Sequence, residues 1–555
     1  MSNAFTRALS TPVPQSEAVD SRQVKNNAGG FVFTVDDKAR LERFLILGTN
    51  GGTYYVNERD LTKQNINWLI DFIKRDGMRV IDTVHTVSTE GRAYRNSPAI
   101  FALALVFKYG SAESKAAAKF WVPEICRTST HLFEFAQYVE LLGGWGRAKR
   151  SAIAGWYQDK APDKIAYQLV KYRQRDGWTH RDLLRLSHAR IDSTLERFAS
   201  RWYKDEQNSG LIVDERPELD IVRAFSVAQE QTSVRGILDL LSQDYAHNLP
   251  WEALPTQFLK EASVWKQLFA NGQLKGQALV RNITRLSRIG AFDDMVFARD
   301  YADCLVDEQM IQRTRLHPIN YLNALVVHEN GQTDRGGFSN FRQKDWNTNP
   351  VIMDALNEGF YKAFKYVEPA NKRTFIGLDV SGSMSNNAAG LDMSCAMVGA
   401  ALAMTIARTE PYYQVFGFSE GQSNKRHYHH NWESKLTDLG ISPSMNLNDV
   451  MRKTANQTFG ATDCALPMKY AQENNIEVDT FVVLTDNETW FGDIHPHIAL
   501  KNYRKSSNID AKLIVVGMTA TNFTIADPTD HGMLDVVGCD SNLPKLISEF
   551  SAGRV

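Results

Sequence analysis

The hydrophobic period of the chain changes once, near Arg373, and that change constrains the fold more than any single motif does. Before it, Ile66, Leu69, Ile70 and Ile73 mark one helix face, with Thr62 as the expected N-cap. Leu132, Phe135, Ala136, Val139 and Leu142 mark another, which Gly143–Gly144 should stop in a left-handed conformation. After it, Thr374–Asp379, Tyr413–Phe418, Thr480–Asp486 and Lys512–Met518 are short apolar runs spaced by amphipathic stretches, the pattern of buried parallel strands with crossover helices. The expected fold is therefore multidomain α and α/β: a helical body, bundle or solenoid, then a doubly wound, Rossmann-like domain. No self-similar repeat in the sequence decides between bundle and solenoid. The 555 residues exceed one hydrophobic core. A flexible tail is expected over residues 1–20 (Ser10, Thr11, Pro12, Pro14, Ser16), without the apolar core of a signal peptide. The helical body should span 21–368, including a long Gly-, Asn- and Asp-rich loop at Glu329–Pro350, and the α/β domain 369–555.

The longest apolar stretches, around Pro98–Phe107 and Cys395–Ala407, fall short of the ~18–20 residues that cross a bilayer, so no membrane span is expected. Five scattered cysteines, none in a C-x-x-C pair, argue against a disulfide framework and a zinc ribbon, and for a reducing, cytoplasmic setting. The formal charge of −1 hides an asymmetry: residues 1–372 carry 49 Lys and Arg against 44 Asp and Glu, and residues 373–555 carry 14 against 20. Within Trp145–Arg190, eleven basic residues face four acidic ones, a local footprint for a polyanion or the solvated face of helices.

Three separated pieces carry the chemistry of the C-terminal third. Asp379-Val-Ser381-Gly-Ser383 follows one expected strand, Gly460-Ala-Thr462-Asp463 opens a helix, and Leu484-Thr485-Asp486 ends another strand. Loops leaving the carboxyl ends of parallel strands converge at the topological switch point, where these pieces can meet. Three hydroxyls and two carboxylates, completed by water, suit octahedral Mg²⁺ or Mn²⁺ and not zinc. Asp-x-Ser-x-Ser alone is weak, since both residues are common in turns and caps. The expected metal ligands are Asp379, Ser381, Ser383, Thr462 and Asp486. With no paired acids, nucleophile or Gly-rich phosphate loop beside them, no catalytic residues are assigned and an enzyme is not expected. Glu488 receives no role, and the loop Arg426–His430, with His429 and His430, reads as solvated.

In the basic segment, Lys171 and Arg175 are four apart, as on one helix face, which Gly177-Trp178 would end before Thr179 caps the next helix. Arg181 and Arg185 repeat the spacing, and His188 follows a turn later. Cations and imidazole beside Tyr and Trp suit phosphate contact and base stacking in RNA. Trp145, Trp156 and Trp178 are expected to pack in the core. A second candidate is Arg281, Arg285 and Arg288, opposite Leu279, Ile283 and Leu286 on one helix.

These residues resemble the Ro autoantigen, or TROVE-domain, family. The resemblance runs through Gln23–Asn27, Gly29–Phe31, Gly143–Arg147, Lys171–Trp178, Leu183–His188 and Leu316–Pro318, and ends in the metal-ion-dependent adhesion motif of a von Willebrand A domain. It implies HEAT-like repeats closed into a ring beside the A domain, a small Y RNA bound outside, and single-stranded 3′ ends of misfolded or maturing non-coding RNAs entering the hole. It also implies that Lys171, Arg175 and His188 match Y RNA contacts, with Arg185, Arg281 and Arg285 as further RNA candidates read from spacing. Animal members commonly carry Asn where this chain has Asp176, and an acid beside Arg175 weakens phosphate attraction. An exoribonuclease partner and a monomeric state are expected. The rival reading is a protein-docking A domain on a helical scaffold that ignores RNA.

Overall fold

The computed structural model describes residues 12–49, 53, 56, 58–201, 216–331, 345–364, 367–388, 393–421, 433–455 and 462–554. Strands β1 (Val24–Lys25) and β2 (Phe31–Thr34) come first, β3 (Gln174–Arg175) and β4 (Trp178–Thr179) interrupt the helical region, and the rest lie beyond Arg373. They are β5 (Thr374–Asp379), β6 (Tyr413–Gly421), β7 (Glu433–Asp438), β8 (Thr480–Thr485), β9 (Lys512–Gly517), β10 (Phe523–Thr524) and β11 (Met533–Val537). The change of period near Arg373 is thus a real change of architecture.

Residues divide into two compact units, and neither is a continuous segment: one holds residues up to Trp68 with Arg92–Tyr94 and Phe364–Val555, the other Leu69–Gly91 and Arg95–Ala363. The second unit is helical. Its elements begin and stop where the chemistry requires. Thr128 caps Ser129–Leu141 by accepting from His131 N, and the helix ends as expected at Gly143 and Gly144, both at positive φ. Gly144 N donates to Val139 O and Gly143 N to Glu140 O, the paired bonds of a Schellman stop. The core of this unit is apolar, with Leu103, Leu132, Phe135, Trp156 and Trp265 fully buried. Thr62 is not an N-cap: the helix over Glu58–Thr89 starts before it and is interrupted at Asp76 (φ −149°, ψ 68°). After the helix Pro318–Asn330, residues 332–344 of the expected loop lie outside the described residues, and the chain resumes in the helix Pro350–Lys362, which packs on it.

The first unit is built on a six-stranded sheet in the order β11-β9-β8-β5-β6-β7. All neighbours are parallel except β6 and β7, so β7 and β11, which the apolar runs did not reveal, form the two edges. β5 and β8 are buried at every position, the reason they read as unbroken apolar runs. From β5 the chain moves first to one side (β6, β7) and then to the other (β8, β9, β11). The direction reverses between β5 and β8, which makes their carboxyl ends the switch point.

The N-terminal residues differ from expectation. Gln15, inside the expected tail, is fully buried, and β2 pairs with β10. Arg43, also fully buried, donates to Asp535 Oδ1 at 2.5 Å and to the carbonyls of Thr521 at 3.0 Å and Phe523 at 2.6 Å. A polar, Pro-containing sequence can be ordered where its groups satisfy buried partners, and hydrophobic period does not record that. We expect Arg43→Met to cost about 3–5 kcal/mol, because Asp535 is left buried without its cation. Urea unfolding together with faster amide exchange in Met533–Val537 would measure it, and adding Asp535→Leu should recover most of the loss.

Candidate metal centre and basic segment

The switch point gathers four of the five expected ligands. Asp379 ends β5, and its Oδ1 accepts from Ser381 N at 2.9 Å, the turn that brings Ser381 Oγ within 3.1 Å of Ser383 Oγ. Asp379 Oδ2 accepts from Thr485 Oγ1, at the end of β8, at 2.7 Å. The next residue is Asp486, whose Oδ1 accepts from Glu488 N at 3.1 Å while its buried Oδ2 has no partner among the described residues. Thr462 is buried as well, and its carbonyl accepts from Trp490 N and Phe491 N at 3.3 and 3.1 Å. Cys464, two residues on, places its Sγ 3.5 Å from Thr485 Oγ1, so this loop reaches the same strand ends. Gly460 and Ala461 of the motif, and the loop with His429 and His430, lie outside the described residues.

The electrostatics are those of charge held away from water. Burial, and the charge of Asp486, push the Asp379 carboxyl up to about 7. Burial raises Asp486 too, opposed by the Ser383 hydroxyl. Among the described residues no group of three or more His, Cys, Asp and Glu is placed to hold a metal. Two adjacent buried carboxylates, one with an orphan oxygen, and serine hydroxyls beside them are nevertheless the donor set that a hard divalent cation fits.

Sequence reasoning missed how this site is supported. Gln15 Nε2 donates to Asp463 Oδ1 at 2.7 Å and to Ile494 O at 2.8 Å, and its Oε1 accepts from the Thr489 hydroxyl. Asn26 Nδ2 donates to Thr489 O at 2.8 Å. Asn27 Nδ2 and Ala28 N donate to Glu488 at 2.6 and 3.1 Å. A Cβ at Gly30 would collide with the Thr489 carbonyl, so the strap must carry glycine there. Residues 15–30 thus fasten the loop that follows Asp486. Burial lifts Glu488 to about 7 and Asp463 to about 6. In the sequence Gln23–Asn27 carried only a family resemblance, and their amides had no assigned purpose.

In the basic segment the helix ends at Lys171, and Lys171 and Arg175 do not share a helix face. β3 and β4 form a hairpin that pairs Arg175 with Trp178. Its two turn residues, Asp176 (φ 52°) and Gly177 (φ 80°), both have positive φ, as the two-residue hairpin favoured by Asp-Gly requires. Thr179 then caps His180–Ser187 in a full capping box with Asp182, as expected. Lys171 is turned inward, its side chain 17% exposed, 3.1 Å from the Tyr167 hydroxyl and 3.9 Å from Glu252. Burial lowers its pKa, but Tyr172, Tyr167 and Glu252 outweigh that and keep it raised, so it is charged. Arg175 is 56% exposed, with Asp176 at 3.5 Å. Arg185 and His188 are exposed.

The second basic candidate is not one helix but two, Gln277–Arg281 and Ile283–Arg288, joined at Asn282. Arg281 is exposed, whereas Arg285 lies over the Trp251 and Trp265 rings at 5.1 and 5.6 Å, and Arg288 pairs with Asp345 at 3.2 Å. Of the three tryptophans expected in the core, only Trp156 is there; Trp145 and Trp178 are partly exposed. All five cysteines are free. Among the described residues no helix is long and apolar enough to cross a membrane.

Two family models match: the TROVE domain over residues 24–330 and the Ro60 vWA domain over 373–551. A Deinococcus radiodurans protein named RNA-binding protein RO60 is 37% identical over 548 residues, 98% of each chain. The chain belongs to the Ro60 family. A Caenorhabditis elegans member of the same name is 34% identical, covering 98% of this chain and 92% of its own. The crystal structure of the Deinococcus radiodurans RO (RSR) protein is 36% identical, with a TM-score of 0.66 over 94% of this chain and 100% of that one. The Ro60 fold of a helical body with an α/β A domain is therefore this chain's fold.

In the metal-free protein, Asp379, Asp463 and Glu488 bind protons in the folded state that they release in the unfolded one. Their folded pKa values are raised, so their contribution to stability is complete below about pH 4 and is lost as pH rises to about 7. We expect the variant Asp379→Asn to flatten this pH dependence in chelator-treated protein, read as the change in Tm between acid and neutral pH.

Proposed function

We propose that this protein is a non-catalytic RNA-binding scaffold of RNA quality control, taking a small Y-type RNA and the single-stranded 3′ ends of misfolded or maturing non-coding RNAs. The observation that carries the reading is the helix–hairpin–helix over Pro162–Ser187. One short stretch of chain sets out Arg175 on the hairpin, Arg185 on the following helix and His188 at its end, all exposed. Arg281 adds an exposed cation on the second basic segment. The names of the relatives, both RNA-binding proteins, support the same reading. Lys171 and Arg285 take part from beneath, lying against aromatic rings more than meeting phosphate. The protein works as a monomer in the cytoplasm, and an exoribonuclease that degrades or trims the captured RNA is the partner this role calls for.

The A domain in this proposal holds Mg²⁺, or Mn²⁺, through Asp379, Ser381, Ser383, Thr462 and Asp486. The bound ion would neutralise the two buried carboxylates and offer an open position to an oxygen of a partner. Mg²⁺ should therefore raise Tm most at neutral pH, where the carboxylates are ionised, and Asp486→Ala should abolish the effect.

RNA affinity should fall steeply with salt, because phosphate contacts release counterions. Arg175→Glu is expected to weaken binding of a structured RNA with a 3′ tail at least tenfold and to flatten the salt slope, measured by fluorescence anisotropy. Absence of binding to this RNA would leave the A domain as a protein-docking module in place of this reading, and binding insensitive to salt and to Arg175 would overturn the assignment of Arg175.

A further inference from the structure

The basic segment contains an aromatic pair that its charge does not explain. Trp145 and Trp178, far apart in sequence, have ring centroids 5.5 Å apart at an interplanar angle of 57°. Each indole N–H is already used: Trp145 Nε1 donates to Glu140 Oε2 at 2.7 Å, and Trp178 Nε1 to Gln137 Oε1 at 2.8 Å. These bonds fix the rings and satisfy their polar edges, so what the pair still has to offer is π surface. The backbone around it is bare. Gly144 and Gly146 flank Trp145, Gly177 precedes Trp178, and a Cβ added at any of the three would meet nothing within 4 Å. Gly146 has φ −98°, so no backbone geometry demands a glycine there.

A cation stands on the same side. Arg175 and Trp178 are direct partners across the hairpin, and directly opposed residues project from the same face. The Arg175 guanidinium is more than half exposed, and Arg147, at the start of the helix after Trp145, is exposed as well. Partly exposed aromatic rings beside a guanidinium that is more than half exposed, with Asp176 at 3.5 Å, combine what a splayed-out base needs, a stacking partner, with what its phosphate needs, a positive charge. A paired stem would use the cation and leave the rings idle.

We propose that Trp145 and Trp178 form a base-stacking subsite for one unpaired nucleobase of a bound RNA, with the adjoining phosphate on Arg175. The proposal rests on the RNA-binding reading above and specifies its ligand at this site. The test uses the full chain and two RNA stems of identical length. In one, a single 2-aminopurine is bulged out; in the other, it is paired with uridine.

The expected result is tighter binding of the bulged stem by about fivefold or more, with a further change in 2-aminopurine emission on binding. Trp145→Leu and Trp178→Leu should each remove that preference while the paired stem binds as before, and Trp145→Phe, which keeps a ring, should retain it. Far-ultraviolet circular dichroism melts identify any variant that has lost its fold, and the Phe variant then carries the comparison. Arg175→Glu should weaken both stems. Equal binding of the two stems by the unaltered protein, or a preference that survives both Leu variants, overturns the subsite while RNA binding stands. Failure of the unaltered protein to bind either stem overturns the RNA-binding reading, and the subsite with it.

Discussion

Burying a carboxylate is costly unless donors or a cation compensate, and that cost organises the unit around the switch point. Asp379, Asp463, Asp486 and Glu488 all lie out of solvent at the ends of β5 and β8 or beside them. The protein meets part of the need with hydrogen bonds drawn from every direction. Thr485 serves Asp379, Gln15 serves Asp463, and Asn27 with Ala28 serves Glu488. Asp486 keeps one oxygen without a partner among the described residues. Ordering the N-terminal strap costs conformational entropy, and the buried bonds it makes to Asp463, Glu488 and Thr489 offset it.

Buried cations elsewhere in the unit follow the same rule. Arg92 donates to Asp540 Oδ2 through Nε at 3.0 Å and Nη2 at 2.7 Å, and to Glu42 at 3.2 Å. With Arg43 on Asp535, this ties residues near both ends of the chain into one unit. The compact units therefore do not follow the sequence order. A long-range ion pair assigns a segment to a unit as firmly as a shared apolar core, and it does so without leaving any periodicity in the sequence.

That explains which features were legible. The strands β5 and β8, and β9 beyond Lys512, were readable because burial writes an unbroken apolar run, and the three pieces around Asp379, Thr462 and Asp486 were readable because each fell at a strand or helix end. The strap was not: Gln15, Asn26 and Asn27 are polar residues in a polar stretch, and their partners lie hundreds of residues away. The β3–β4 hairpin is a different kind of miss. Asp176-Gly177 is a strong turn signal, but the four-residue spacing of Lys171 and Arg175 mimics a helix face. The positive φ of both turn residues decides it, since a helix would have excluded them. Asn282 likewise divides what even spacing presented as one helix.

The distinction that spacing cannot make is between a cation that is present and one that is available. Lys171 and Arg285 count fully toward sequence charge, yet one is enclosed by Tyr167, Tyr172 and Glu252 and the other lies over Trp251 and Trp265. Their charge still contributes to the local potential, but both are only partly exposed. Arg175, Arg185, His188 and Arg281 are exposed, Arg175 with Asp176 at 3.5 Å. Counterion release depends on contact with phosphate, so in the proposed reading the exposed set would govern the salt dependence of binding while the covered set would shape the surface beneath it. In the RNA-binding reading proposed above, sequence charge therefore places the interface, and burial selects which of its residues would meet phosphate.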